Sequence, residues 1–237
     1  MVPPRPAHFA LFALGGTALA GVAGFVNAVT FLAPGHLTAT HMTGTATRLA
    51  LTGVDPSGPF NAALAGLALV LFVLGAAVSG AVLDSTRLAL GRRYGLLLMF
   101  EAAFLALGAS LYRDGIAEGV LPAAFASGVQ NALATQYSAA IVRTTHVTGV
   151  VTDLGIALGK LLARRGVDGW RVALYLGLLG GFVAGGVVGG FASGLVGTDA
   201  LYLPAGFLGL VGFAYWVMRQ AGYFRGRETR QTSRPSP

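Results

Sequence analysis

Two short segments of the sequence combine a histidine, a threonine and a glycine in the same order, and both have the composition of a helix start. They are residues 40–44 (T-H-M-T-G) and residues 145–149 (T-H-V-T-G). A threonine at the N-cap accepts a hydrogen bond from a backbone N–H, and the other free N–H groups carry about half a positive charge. Such a helix start can bind an anion or a carbonyl oxygen. The candidate binding residues are Thr43, Gly44, Thr148 and Gly149, unless they are only caps whose glycines permit close packing.

Three side-chain amides precede these segments within apolar stretches. Asn27 belongs to residues 24–28 (G-F-V-N-A), and Gln130 and Asn131 belong to the matching residues 128–132 (G-V-Q-N-A). Amides that are buried in a membrane commonly form hydrogen bonds between helices, each worth about 0.6–2 kcal/mol. The alternative is that these three amides line a solute pathway beside the two threonine–glycine segments.

Three charged residues are candidates for proton coupling or ion pairing. Glu101 is the sole acid within a long apolar stretch, where a charge costs at least about 2.5–3.5 kcal/mol. It could carry a proton, pair with Arg48, or stay protonated and donate to a neighbouring helix. Arg48 and Asp153 occupy equivalent positions in the two copies. They either form an ion pair between the copies or face separate headgroup regions.

His41 and His146 are also equivalent residues, and each could bind a metal ion or a proton. The sequence has no cysteine, and no cluster of acids completes a ligand set around either histidine. We therefore predict no metal site and no cofactor. We expect both histidines to form hydrogen bonds around the break in the chain before each short helix.

The composition indicates which class of protein must position these residues. The chain of 237 residues is 54% hydrophobic and 11% charged, with a mean hydropathy of +0.70, whereas soluble domains are about 25% charged. A net charge of +7 would suggest a nucleic-acid partner in a soluble protein. Here the basic residues lie between apolar runs and at the C-terminus, so we expect the partner to be the lipid bilayer and not nucleic acid.

Hydropathy predicts an all-α membrane protein with six transmembrane helices and two short re-entrant helices. About 20 apolar residues are needed to cross the hydrocarbon core. The six predicted crossings are residues 9–32, 60–83, 94–112, 119–142, 172–198 and 200–218. Residues 42–53 and 148–162 have helical composition but are too short to cross, so we expect both helices to enter the membrane without passing through it.

The basic residues orient this arrangement. With both termini in the cytoplasm, fourteen Lys and Arg residues face inward and only Arg48 and Arg113 face outward, in agreement with the positive-inside rule. A single domain, residues 9–218, then contains one repeat over about 9–112 and a second over about 118–218. Three crossings per repeat predict that the copies are inverted, with a ligand site near the midplane. Residues 219–237 are predicted to be a basic, disordered cytoplasmic tail.

Small residues recur along the fifth predicted crossing. A third match between the copies pairs residues 73–80 with 178–185, at a spacing of 105 residues. Glycine or serine also recurs every fourth residue, a pattern that lets helices pack closely. One row is Gly177, Gly181, Gly185, Gly189, Ser193 and Gly197, and a second is Gly186, Gly190 and Gly194. These rows predict helix packing, either within the protomer or across a homodimer.

The motifs G-F-V-N-A-V, H-M-T-G, G-V-Q-N-A and R-T-T-H-V-T-G resemble those of the YoaK-like family of bacterial inner-membrane proteins, a domain of unknown function. The resemblance covers about residues 9–218. It implies a bacterial multi-pass protein of the inner membrane, without an established activity. The family pattern usually has Asp at the position of Asn27 and Asn at that of Thr45, and these departures argue against a required acid at position 27.

These features favour a secondary transporter or channel for a small polar or anionic solute. An enzyme is not expected, since the sequence lacks G-x-S-x-G, H-E-x-x-H and a pair of acids placed to share a cavity. The alternative is a non-transporting scaffold or partner subunit, for which the glycine-rich crossing is the one positive feature.

Overall fold

The computed structural model describes residues 6–55, 61–83, 93–137 and 144–223, with the backbone alone for residues 6–12 and 137. All regular structure in these ranges is helical, as composition and hydropathy predict. The α-helices are α1 (Pro6–Leu32), α2 (Met42–Thr52), α3 (Ala62–Val82), α4 (Tyr94–Arg113), α5 (Val120–Tyr137), α6 (Val147–Leu162), α7 (Gly169–Val196) and α8 (Tyr202–Gln220). Short 3-10 segments, Ala117–Gly119 and Gly197–Leu201, precede α5 and α8.

Four segments of the described chain are long and apolar enough to cross a membrane: Ala13–Leu32, Ala62–Val82, Tyr94–Arg113 and Gly169–Gln220. The fourth has 52 residues and contains both α7 and α8. α5 is outside this set because side chains such as Ser127 and Gln130 lower its hydropathy. The protein is therefore membrane-like and helical, and α2 and α6, with 11 and 16 residues, are the short helices.

The long helices of the first half pack against those of the second half in three pairs, α1 with α7, α3 with α5 and α4 with α8. α1 lies against α7 and runs in the same direction, because their contacts advance together and join Thr17 to Gly181, Gly21 to Gly185 and Phe25 to Gly189. α3 lies against α5 in the same way, with Gly75 on Phe125 and Gly80 near Gln136. α4 and α8 run in opposite directions, since Gly95 meets Gly212 at one end and Ser110 bonds to Tyr202 at the other.

These contacts correct the spacing of the third sequence match. Gly128 of α5 lies on the carbonyl of Phe72, and its counterpart Gly24 of α1 lies on the carbonyl of Phe182. Phe72 and Phe182 are therefore the equivalent residues, and they are 110 positions apart rather than 105. The physical reason is that α6 has 16 residues and α2 has 11. The longer α6 shifts every later residue of the second copy by five.

The two glycine rows of α7 have different surroundings. The first row faces α1, and a Cβ at Gly189 would lie 2.7 Å from the Phe25 carbonyl oxygen. In the second row, no heavy atom of the described residues would lie within 4 Å of a Cβ at Gly190 or Gly194. Packing within the protomer thus explains Gly177, Gly181, Gly185 and Gly189 of the first row, whereas Gly190 and Gly194 of the second row face open space.

Some predicted boundaries cannot be compared with the structure. The predicted ends of crossings at Phe60 and Val142 lie outside the described residues, as does the tail from residue 224 onward. α8 continues through Arg219 to Gln220, so the first two residues of the predicted tail are helical.

Candidate functional site

The chain turns back on itself directly after α1. Gly35 and His36 have positive φ angles of 88° and 47° and reverse the chain direction. The Ala39 N–H then donates to Thr30 Oγ1 at 3.1 Å, and Thr40 Oγ1 donates to Asn27 Oδ1 at 2.6 Å. Asn27 lies five residues before the end of α1, so the returning chain reaches back by about 7.5 Å along the helix axis.

The second half forms the same contact after α5. Thr145 Oγ1 donates to Asn131 Oδ1 at 3.2 Å, and Asn131 lies six residues before the end of α5. The threonine–asparagine separations are 13 and 14 residues in the two halves. The two amides therefore hold the returning segments against the helices that precede them, and these bonds join a helix to a non-helical segment rather than two helices.

The N-caps differ from those predicted. α2 and α6 begin one residue after His41 and His146, which are the N-caps, and neither imidazole makes a capping hydrogen bond. The first intrahelical bonds run from Thr45 N to the His41 oxygen and from Val150 N to the His146 oxygen, both at 3.2 Å. Thr43 and Thr148 are thus the second residues of their helices and cannot cap them.

The glycines of both motifs make room for the histidine rings. A Cβ at Gly44 would lie 2.8 Å from His41 Cδ2, and a Cβ at Gly149 would collide with the His146 ring. Each imidazole therefore folds over the first turn of its own helix. The hydrogen bonds that we expected from these histidines around the chain break are absent in the part of the chain that the structure describes, because the rings pack on the glycines instead.

A cavity of about 340 Å³ joins the two helix starts. It is lined by Thr40, His41, Met42, Thr43, Phe72, Asn131, Thr135, Thr145, His146, Val147 and Thr148. None of these lining residues is an acid, a lysine or an arginine. The first N–H groups of a helix have no carbonyl partner within it, so both helix starts present donors at this cavity, beside the hydroxyl groups of the threonines.

Some of the candidate residues line the cavity, and others lie outside its lining. Thr43, Thr148 and Asn131 line it directly, whereas Asn27 lies behind Thr40 and is bonded to it. Gly44 and Gly149 lie under the histidine rings. Gln130 donates through Nε2 to the Leu19 carbonyl of α1, so it ties α5 to α1.

Glu101 lies apart from the cavity, inside the helix bundle. Its side chain is 1% exposed, and Oε2 has no hydrogen-bond partner. Leu97 and Leu105, one turn away on each side, are buried in the two apolar clusters of the core. Arg48 instead donates to the Gly35 carbonyl at 3.4 Å. The described residues therefore show no pairing of Glu101 with Arg48 and no bond from Glu101 to another helix.

Asp153 lies in a different place from Arg48. It lies beside Tyr175 of α7 and lines, with Lys160 and Arg171, a separate cavity of about 170 Å³ between α6 and α7. Within the described ranges, no ion pair joins Asp153 to Arg48, so the predicted pair between the copies is not formed.

Thr135 and Phe72 are cavity residues that the sequence did not indicate. Thr135 lies one turn after Asn131 and donates to its backbone carbonyl at 2.7 Å, a pattern that any helical threonine can show. Thr40 and Thr145 were visible as the first residues of the repeated motif, but their partners Asn27 and Asn131 follow only from the fold. Among the described residues, no group of three histidines and acids is placed to hold a metal ion.

Comparison with known proteins assigns the chain to a family. A family model described as "Protein of unknown function (DUF1275)" matches residues 15–214, a range that contains both helix starts, the cavity and Glu101. No curated protein and no solved structure matches the chain. With the match covering most of its length, the chain belongs to the DUF1275 family of proteins of unknown function.

Proposed function

We propose that this protein is a secondary transporter or channel for a small polar or anionic solute, which binds between the starts of α2 and α6. The observation that carries this proposal is the shared cavity. Two motifs that are 105 residues apart in the sequence line the same space of about 340 Å³. Non-helical backbone within a membrane is tolerated where it is covered by protein or faces a watery cavity, and both returning segments meet that condition.

The directions of the helices support an inverted repeat. α1 and α7 run together, α3 and α5 run together, and α4 opposes α8. Short connections join α4 to α5 and α7 to α8, so each of these pairs reverses direction. Six alternating crossings satisfy all of these relations, with α2 and α6 re-entering from opposite faces. The cavity then lies near the midplane, where inverted-repeat transporters bind their solutes.

The lining of the cavity favours an anion over a cation. Two helix starts direct N–H groups and positive dipole ends toward the space. Hydroxyl groups and two exposed histidines add further donors. No carboxylate is among the lining residues, so a cation would find no counter-charge there.

Glu101 is proposed as the proton-coupling group. A buried carboxyl group with an unpartnered oxygen is costly inside a membrane protein, and such residues generally serve a function. We also propose that the protein lies in the bacterial inner membrane, as the resemblance to the YoaK-like family implies. The distribution of its basic residues supports a cytoplasmic position for both termini. A homodimer could form through Gly190 and Gly194, the open part of the second glycine row.

Flux into proteoliposomes tests the proposal. Swelling in isotonic KCl or KNO₃ with valinomycin reports entry of a small anion, and swelling in isotonic glycerol or urea reports entry of a neutral solute. The Thr43→Val/Thr148→Val variant should reduce flux of the conducted solute at least about tenfold, because it removes two of the lining hydroxyls.

Thr47→Val/Thr152→Val is the matched control. These threonines lie one turn further along the same helices and donate to the carbonyls of Thr43 and Thr148. The control should keep its flux. Equal loss in both variants would contradict a role for the cavity. Absence of flux in the wild-type protein for every solute would favour the alternative of a non-transporting scaffold that binds partners through the open glycine row.

A further inference from the structure

We propose that a second site, at the junction of the α4 start and the α8 end, binds the phosphate group of an anionic phospholipid. This site is a cavity of about 100 Å³ and is distinct from the central cavity. It is lined by Arg93, Gly95, Leu96, Tyr215, Trp216 and Arg219. The lining combines two guanidinium groups with two aromatic residues and contains no acid.

The close approach of the two helices creates this site. A Cβ at Gly95 would lie 2.5 Å from the Gly212 carbonyl oxygen and 3.0 Å from the Trp216 backbone nitrogen. Tyr94 also packs edge-on against Tyr215, with ring centroids 6.1 Å apart. Because the helices touch at these residues and run in opposite directions, Arg93 at the start of α4 and Arg219 at the end of α8 border the same space.

Both arginines suit a phosphate ligand. A guanidinium group donates two parallel hydrogen bonds to phosphate oxygens and keeps its charge at any physiological pH. Arg93 is also the N-cap residue of α4, and its side chain makes no capping bond. The first N–H groups of α4 lack carbonyl partners within the helix and favour a negative charge beside them. Both the positive charge of the site and the geometry of its hydrogen-bond donors therefore favour an anionic ligand.

The surroundings indicate that the anion is part of a lipid. The apolar side chains of Leu96, Phe100, Phe213, Trp216 and Val217 on these two helices are between 36% and 55% exposed. Leu96 and Trp216 also line the cavity, and Phe213 stacks on Trp216, so apolar surface for acyl chains adjoins the site. Tyrosine and tryptophan are enriched where lipid headgroups meet the hydrocarbon core, and this site has one of each.

The sequence around the site supports the same conclusion. Arg87 and Arg92 precede α4, and four further arginines follow Arg219 in the tail. In the proposed topology this is the cytoplasmic side, where anionic lipids attract basic residues. The cavity between α6 and α7 differs, because Asp153 and Asp168 line it together with Lys160 and Arg171. Its charges balance, so it offers no excess of positive charge to an anion.

The test compares lipid retention in two double variants. The full-length protein is placed in phosphatidylcholine nanodiscs with a minor fraction of phosphatidylglycerol, and retained phosphatidylglycerol is counted by native mass spectrometry. Arg93→Gln/Arg219→Gln should reduce retention roughly tenfold, because it removes both guanidinium groups that donate to the phosphate at this site. Lys160→Gln/Arg164→Gln removes the same charge on the same side and should retain lipid at the wild-type level.

Three results would overturn the proposal. Equal loss in the two double variants would mean that only the net charge matters, and no loss in either would mean that the site binds no lipid. Stabilisation by millimolar inorganic phosphate in neutral detergent, without any effect of phosphatidylglycerol, would assign the site to a free anion.

If the glutamine variant fails to fold, Arg93→Lys/Arg219→Lys provides a second test. It keeps the charge and should show an intermediate retention, because lysine cannot donate two parallel hydrogen bonds from a planar group. Wild-type retention in that variant would contradict the proposed role of the guanidinium geometry.

Discussion

The two short helices start alike and continue differently. At the start of each, a threonine bonds to an asparagine of the preceding long helix, and a histidine ring folds over a glycine. Beyond the first turns, α6 is five residues longer than α2, and Asp153 lies beside Tyr175 whereas Arg48 donates to the Gly35 carbonyl. Within the two short helices, the shared geometry is confined to the first turns, beside the central cavity. Any function that needs both copies is therefore expected at the helix starts.

The largest effect on stability is expected at the glycines where two long helices are in backbone contact. Gly24→Val and Gly128→Val should each prevent recovery of folded protein, because the new side chain would collide with the carbonyl of Phe182 or Phe72. Overpacking of this kind costs about 1–3 kcal/mol and more where backbone must move. Fluorescence-detected size exclusion measures the folded fraction.

Gly190→Val provides the control for these substitutions, since a side chain there meets open space. It should give the wild-type amount of monodisperse protein. A different folded fraction for Gly24→Val and Gly128→Val would show that this contact is not equivalent in the two halves.

A large functional effect is expected from Glu101→Gln. α8 occupies the corresponding place in the second half and has no acid, so Glu101 is a feature of one half alone. If it carries the coupled proton, the variant should lose the pH dependence of flux between about pH 5 and 8 while still conducting the solute down its gradient. An unchanged pH profile in proteoliposomes would exclude that role.

A smaller effect is expected at the threonine–asparagine contacts. Asn27→Ala and Asn131→Ala should lower the unfolding free energy in detergent by about 0.6–2 kcal/mol each, the range for hydrogen bonds within membranes. The bond at Asn27 is shorter, 2.6 Å against 3.2 Å, so its loss should cost more. Equal or reversed losses would show that the two junctions are held by other contacts.

The smallest effect is expected between the two oppositely charged residues of the short helices. A double-mutant cycle of Arg48→Gln and Asp153→Asn should give a coupling energy below about 0.5 kcal/mol, as for residues that share no partner. Chemical denaturation of the four proteins measures it. A coupling energy above about 1 kcal/mol would instead show that Arg48 and Asp153 interact as an ion pair.

Several features could be predicted from the sequence because they depend on local patterns. The runs of apolar residues and the breaks after them predicted the helices nearly to the residue, as for Tyr94–Arg113 and Met42–Thr52. The repeated motif also identified Thr43 and Thr148 as candidate binding residues, and both line one cavity in the structure. Their assignment as caps was wrong, because a helix start depends on which carbonyl first accepts a bond, and several neighbouring residues in T-H-M-T-G and T-H-V-T-G were compatible with that position.

The sequence by itself determined the helical class, the repeated motifs and the position of most basic residues between apolar runs and at the C-terminus, since each follows from composition and order along the chain. Only the tertiary structure decided that one glycine row faces α1 and the other faces outward, that the copies are 110 residues apart in α7, and that Asn27 bonds to Thr40. These facts depend on which surfaces of distant helices meet. The same glycine rows and side-chain amides are compatible with several arrangements of the helices. The combined contacts of many residues that are far apart in the sequence decide which arrangement is the most stable.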